Sequence, residues 1–187
     1  MDRALAALRR GGLPLAEITT DTPGAFDAIE RAAAAGHVIG AGTVTTAAQV
    51  HDCARAGGAF VVSPGLVPEM VRAALDLGLE PIPGIATATE IIAAQRAGAR
   101  MMKLFPAGAL GVDYLTALRG PFPDVEFVPT SVTRLTDVPA LLRAGAVAVG
   151  LGTALVGREP PQTDAAADEI TRCARELVAD VRGLTQP

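Results

Sequence analysis

One phrase recurs along this chain at nearly even intervals, and it limits what the chain can fold into. Arg55-Ala56-Gly57-Gly58 runs into Ala59-Phe60-Val61-Val62, Arg96-Ala97-Gly98-Ala99 into Arg100-Met101-Met102-Lys103, and Arg143-Ala144-Gly145-Ala146 into Val147-Ala148-Val149-Gly150. A looser copy, Ala34-Ala35-Gly36, precedes His37-Val38-Ile39-Gly40. The arginine complements the negative end of a helix, the glycine accepts the left-handed turn that stops it, and the apolar run starts a strand. Strands are therefore expected over residues 13–19, 37–42, 59–63, 80–83, 101–105, 126–130 and 147–150, with helical patterns between them, as at 47–56, 68–77, 89–97 and 135–144. Strand starts fall roughly 20 to 25 residues apart, the period of a strand plus its crossover helix. Short apolar strands separated by helices predict a parallel sheet with helices outside. The constant period favours a closed (β/α) barrel over a doubly wound sheet, and no Gly-x-Gly-x-x-Gly opens a helix after a strand. Only seven strands are visible: a helix over residues 2–10 stands where an eight-fold barrel has its first strand.

At 187 residues the chain reads as one domain, residues 1–187, with a C-terminal helix over about 163–182 after Pro160-Pro161. Half the residues are hydrophobic and 19% are charged, which suits a packed α/β core and excludes disorder. The net charge of −4 comes from interspersed acids and bases, and aromatics make up 3%, so no basic stripe or stacking platform points to nucleic acid. No apolar run of roughly 18 residues and no charged-then-apolar leader appears, so a cytoplasmic protein without a membrane partner is expected. Cys53 and Cys173 are lone thiols, and His37 and His51 are not at ligand spacing, so no zinc site is expected from them; a carboxylate magnesium site stays open. No cofactor is expected.

The basic residues are fifteen arginines and one lysine, Lys103, set in Met101-Met102-Lys103-Leu104-Phe105. A guanidinium stays protonated, whereas a desolvated amine can lose its proton and attack a carbonyl. Lys103 is a candidate Schiff-base nucleophile. The bland reading is a GC-rich genome that avoids lysine codons. Strand alternation puts Leu15, Glu17 and Thr19 on one face, and Met101, Lys103 and Phe105 on one face. Ala16, Ile18, Met102 and Leu104 suit a helix layer, so Glu17 and Lys103 are expected to point into the barrel near its C-terminal mouth, where barrel enzymes build their sites. Thr43 and Thr130 end strands in the same layer. Desolvation lowers the amine's pKa and the carboxylate opposes it; a buried structural ion pair is the competing reading.

An ordered set of motifs then becomes specific: Gly40-Ala41-Gly42-Thr43-Val44, Val62-Ser63-Pro64-Gly65, Pro83-Gly84-Ile85, Lys103-Leu104-Phe105-Pro106, Gly120-Pro121-Phe122-Pro123, Phe127-Val128-Pro129-Thr130 and Ala148-Val149-Gly150. Together, over about residues 3–157, they resemble the KDPG/KHG aldolases, which cleave 2-keto-3-deoxy-6-phosphogluconate or 4-hydroxy-2-oxoglutarate. The resemblance implies a homotrimeric (β/α)8 TIM-type barrel, here lacking a visible first strand, and a metal-independent class I aldolase that releases pyruvate and an aldehyde from a small 2-oxo acid. It implies Lys103 as the Schiff-base lysine, Glu17 as the general acid/base, Thr43 at the pyruvate carboxylate, and Pro64 and Phe105 as pocket walls. Thr130, Ser131, Gly152 and Thr153 fall where the family binds the far end of the substrate.

Three departures stand out. Asp21, in Glu17-Ile18-Thr19-Thr20-Asp21-Thr22, replaces an arginine that would neutralise the substrate carboxylate. Pro129-Thr130-Ser131-Val132 replaces Pro-Thr-Gly-Gly, and β-branched Val132 is ill suited to positive φ, which argues against a phosphorylated substrate. The missing first strand leaves sheet edges that a partner subunit or a rearranged terminus is expected to shield, the tail helix being one cover. The alternatives are a catalytically weakened binding or assembly subunit, another 2-oxo-acid lyase on the same barrel, or a carboxylate-metal aldolase using Glu17 and Asp21.

Overall fold

Every strand runs parallel to its neighbour, and helical crossovers connect most of them to the next. The computed structural model describes residues 1–182 and 184. In chain order the strands are β1 (Leu15–Thr19), β2 (Val38–Gly42), β3 (Phe60–Val62), β4 (Glu80–Ile82), β5 (Gly84–Ile85), β6 (Met101–Leu104) and β7 (Glu126–Pro129). They form a four-stranded sheet, β1-β2-β3-β4, and a three-stranded one, β5-β6-β7. Helices Ala25–Ala34, Ala47–Arg55, Pro68–Asp76, Ala88–Ala97, Val112–Arg119 and Val138–Arg143 fill the crossovers. Their starts and stops are local. Thr46 with Gln49, and Thr87 with Glu90, form reciprocal capping boxes, and Gly98 ends its helix in the left-handed conformation.

The expected strand 80–83 is split. Pro83 has no N–H to donate, so the ladder breaks there into β4 and β5, although its carbonyl still accepts from Lys103 N–H at 2.9 Å. The expected strand 147–150 forms no regular ladder. Val147 N–H reaches Phe127 and Gly150 N–H reaches Pro129, but Pro129 has no N–H to return to this segment. The segment lies beside β7 without being a strand.

The register puts one set of side chains on one face. Leu15 opposes Val38, Glu17 opposes Gly40, Gly40 opposes Phe60, and Lys103 opposes both Gly84 and Val128. The alternate residues Ile18, Ile39, Ala41, Val61, Met102, Leu104 and Phe127 are buried under the helices. Removing each large one from water contributes about 1.5–3 kcal/mol, so register slippage is strongly opposed.

Among the described residues β1 pairs only with β2. Thr20 N–H bonds Gly42, so the N–H and C=O groups of Leu15, Glu17 and Thr19 face the other way, toward an open edge. Outside that edge the helix layer is continuous, because helix Asp2–Arg10 packs against the long tail helix Asp164–Val181. The tail helix, expected as one cover for the open edges, packs on another helix, with Ala7, Ala167 and Ile170 as the seam. Among the described residues no helix is long and apolar enough to cross a membrane.

Candidate active site

Glu17 and Lys103 stand on the same face of the strands, from β1 and β6. Around them that face is built largely of glycines. A side chain on Gly42 would lie 2.6 Å from Glu17 Oε1, so the bare glycine makes room for the carboxylate to lean across β2. Gly40 is covered in the same way by the Phe60 ring, which fills the layer below. Gly84, level with Lys103, is crossed so closely by the Pro64 carbonyl that a methyl group there would collide with it.

Lys103 is half-buried, and its Nζ lies 5.1 Å from the centre of the Phe105 ring. Burial pushes its pKa below the ordinary lysine range, while the Glu17 charge pulls it back up. Glu17 shows the mirror image: burial raises its pKa and the Lys103 charge lowers it. As a whole residue Glu17 is exposed. Its carboxyl nonetheless sits deep among protein atoms. That depth is the larger influence on its titration. Among the described residues no direct ion pair joins the two groups. A desolvated amine facing a desolvated carboxyl is an arrangement suited to carbonyl attack with proton transfer alongside.

The other expected residues lie where strands end. Thr43 follows β2 and adopts φ 57°, and Ser131, after β7, adopts φ 63°; both are in the left-handed region although neither is glycine. The left-handed turn therefore falls on Ser131 and not on Val132, which is 6% exposed and packs into the core. The expected obstacle at Val132 does not arise. Thr130 is held by its main chain to Leu104 and Ala107, while its buried Oγ1 has no hydrogen-bond partner among the described residues. Pro64 and Phe105 are exposed at the rim. Pro64 is braced by the fully buried Ser63, whose Oγ donates to Gly65 O at 2.6 Å. Gly152 and Thr153 are exposed, where the four-residue helix Thr153–Val156 begins. Asp21 is exposed beyond the end of β1. Among the described residues no three His, Cys, Asp or Glu side chains gather as a metal-binding group.

The motif reading passed over two residues that shape this mouth. Thr20 Oγ1 donates to the Thr43 carbonyl at 3.0 Å, and Gln49 Nε2 donates to Thr20 Oγ1 at 3.4 Å. The Thr46-x-x-Gln49 spacing carries the capping-box signature and points to Gln49; Thr20 leaves no local signal.

Known proteins resemble the chain over most of its length. A family profile described as aldolase, KDPG and KHG aldolase, matches residues 2–173. A probable 2-dehydro-3-deoxy-6-phosphogalactonate aldolase of Rhizobium meliloti is 39% identical over 155 residues, 81% of this chain and 73% of that protein. The 2-dehydro-3-deoxy-phosphogluconate aldolase of Pseudomonas aeruginosa is 43% identical over 135 residues, 71% of this chain and 61% of that one. The KDPG aldolase of Legionella pneumophila, whose crystal structure holds pyruvate captured at low pH as a covalent carbinolamine intermediate, superposes with a TM-score of 0.83 at 32% identity, covering 94% of this chain and 86% of that one. The fold is accordingly a TIM-type α/β barrel.

Proposed function

The chain belongs to the KDPG and KHG aldolase family, and we propose that it is a metal-independent class I aldolase that cleaves a 2-oxo-3-deoxy sugar acid to pyruvate and an aldehyde through an imine on Lys103. The observation that carries this reading is the lone lysine, with its pKa lowered by burial, facing a carboxyl whose pKa is raised.

The chemistry follows from what those two groups do. Neutral Lys103 Nζ adds to the C2 carbonyl, giving a carbinolamine, the species captured in the Legionella enzyme. Glu17 in its protonated form supplies a proton to the departing hydroxyl, and water leaves. The iminium then draws electrons from the C3–C4 bond as ionised Glu17 takes the C4 hydroxyl proton. The aldehyde departs, the electrons rest in an enamine, and the proton returns to C3. Hydrolysis frees pyruvate and regenerates the amine. The iminium is the electron sink throughout, so no step calls for a Lewis acid. A carboxyl with a raised pKa suits this work because it must both give and accept a proton near neutrality.

Thr43 holds the carboxylate next to C2, and Pro64 and Phe105 wall the pocket. Thr130, Ser131, Gly152 and Thr153 receive the oxygen-rich far end; Ser131 reaches the left-handed conformation that glycine commonly serves, which keeps a phosphorylated tail compatible with the loop. A homotrimer working in the cytoplasm completes the proposal, on the strength of the family resemblance.

The test is incubation with pyruvate and borohydride followed by peptide mapping. A reduced pyruvate adduct on Lys103 is expected. Lys103→Arg loses the adduct and at least about 1,000-fold in cleavage, since a guanidinium cannot form the imine, while its circular dichroism matches the parent. Cleavage retained by that variant overturns the assignment.

A further inference from the structure

Thr43 is a β-branched residue held at φ 57°. A left-handed conformation costs an ordinary L-residue roughly 1–2 kcal/mol, so the surroundings must impose it. On one side, Thr20 Oγ1 donates to the Thr43 carbonyl at 3.0 Å. On the other, Val44 N–H donates to Val62 O at 2.9 Å. Gln49 ties the two ends together. Its Nε2 donates to Thr20 Oγ1 at 3.4 Å, while its Oε1 accepts from Thr45 N–H at 2.8 Å and Thr46 N–H at 3.2 Å. The same side chain therefore caps a helix, gathers the two amides that follow Thr43 by two and three positions, and braces the hydroxyl that grips Thr43 from the turn after β1. Neither Thr20 nor Gln49 hydrogen-bonds Lys103 or Glu17.

We propose that Thr20 and Gln49 are positioning residues that set the grip of this site on the carboxylate end of its 2-oxo acid, by holding Thr43 in the left-handed conformation. The inference rests on the reading of Thr43 as the carboxylate holder. Its physical content is specific. With Thr20 and Gln49 in place, the Thr43 side chain holds the ligand without reorganisation of the backbone when the ligand arrives. Without them, Thr43 relaxes toward the ordinary basins, and part of the binding free energy is spent returning it. Binding weakens, whereas the chemistry between Lys103 and Glu17, once the acid is bound, is untouched.

The measurement is borohydride trapping of pyruvate as a function of pyruvate concentration, with thermal melting in parallel. Thr20→Val keeps the shape and deletes the hydroxyl; Gln49→Ala deletes the brace; Thr20→Ser restores a hydroxyl. The first two are expected to raise the half-saturating pyruvate concentration about five- to tenfold, the size of one or two hydrogen bonds, with the plateau trapping rate unchanged. Thr20→Ser returns to within about twofold of the parent. In a double-mutant cycle, Thr20→Val adds no further weakening on a Thr43→Val background, because it acts through that residue. A purely structural role predicts the opposite pattern: a lower melting temperature and a lower plateau, with unchanged half-saturation in the molecules that stay folded. That pattern in Thr20→Val and Gln49→Ala, or additive effects in the cycle, overturns the proposal. Should the parent form no adduct at all, the aldolase reading itself fails; should Thr43→Val weaken pyruvate while Thr20→Val does not, only this inference fails.

Discussion

At the scale of the residue, the proposed site is a pair of groups that each distort the other's titration. Burial is the larger influence on both, and the mutual charge works against it. The sign of a substitution follows. The Glu17 carboxylate favours the Lys103 ammonium, so Glu17→Gln removes that support and the amine's pKa falls further. Adduct formation with pyruvate is expected to have a lower plateau rate, because no protonated carboxyl assists the loss of water, and to reach half of that plateau at lower pH than in the parent, because the amine is neutral there. Cleavage falls because the C4 proton has no acceptor. Initial trapping rates across pH check this; an acid limb that stays in place or moves to higher pH means the two groups are not electrostatically linked. Lys103 and Glu17 were legible in the sequence because one is the sole lysine and both fall in period-two strands. Gln49 was legible only as a helix cap. Its grip on Thr20 depends on two segments meeting in space.

At the scale of the element, the strands that hold the site are close-packed through glycine. Gly84 pairs with Lys103 and lies under the Pro64 carbonyl. Gly84→Ala has to part β5 from the turn after β3, with an expected cost of about 1–3 kcal/mol. Gly65→Ala, one residue beyond Pro64, meets nothing within 4 Å and is expected to be neutral within about 0.5 kcal/mol. Denaturant melts of the two variants make the comparison; equal stability removes close packing as the reason for the glycine. The positions of β1, β2, β3, β6 and β7 were legible because helix-stop glycines and apolar runs are local signals. The break at Pro83 and the irregular segment 147–150 were not, because each depends on what a proline in or beside the strand fails to donate.

At the scale of the whole molecule, a sheet with an open edge is enclosed by a helix layer that does close. The closure runs between Asp2–Arg10 and Asp164–Val181. Gly11 lies against Ala174, and Thr171 Oγ1 donates to the Ala7 carbonyl at 3.1 Å. The ion pairs Arg3–Asp164 and Arg10–Asp168 also cross the seam, but their side chains are exposed, so each contributes about 0–1 kcal/mol. Packing therefore decides the strength of the seam. Gly11→Ala, whose methyl group collides with that of Ala174, is expected to lower stability by about 1–3 kcal/mol, roughly 2–4 °C in Tm per kcal/mol for a chain of this size. Raising the salt concentration is expected to change Tm far less. A melt in which salt matters more than the methyl group would assign the seam to charge instead.

By itself, the amino-acid sequence determined the parallel strand–helix repeat, the identity of the lone amine and its carboxyl neighbour, and the family they resemble. Those properties reside in local chemistry: where a helix can stop, which face a residue takes in a strand, which cation can lose a proton. Only the tertiary structure decided that the left-handed turn falls on Ser131 while Val132 enters the core, that the tail helix joins the outer layer, and that Gln49 reaches through Thr20 to Thr43. Each of these is a contact between segments distant in sequence, and its energy exists only after the segments have been brought together.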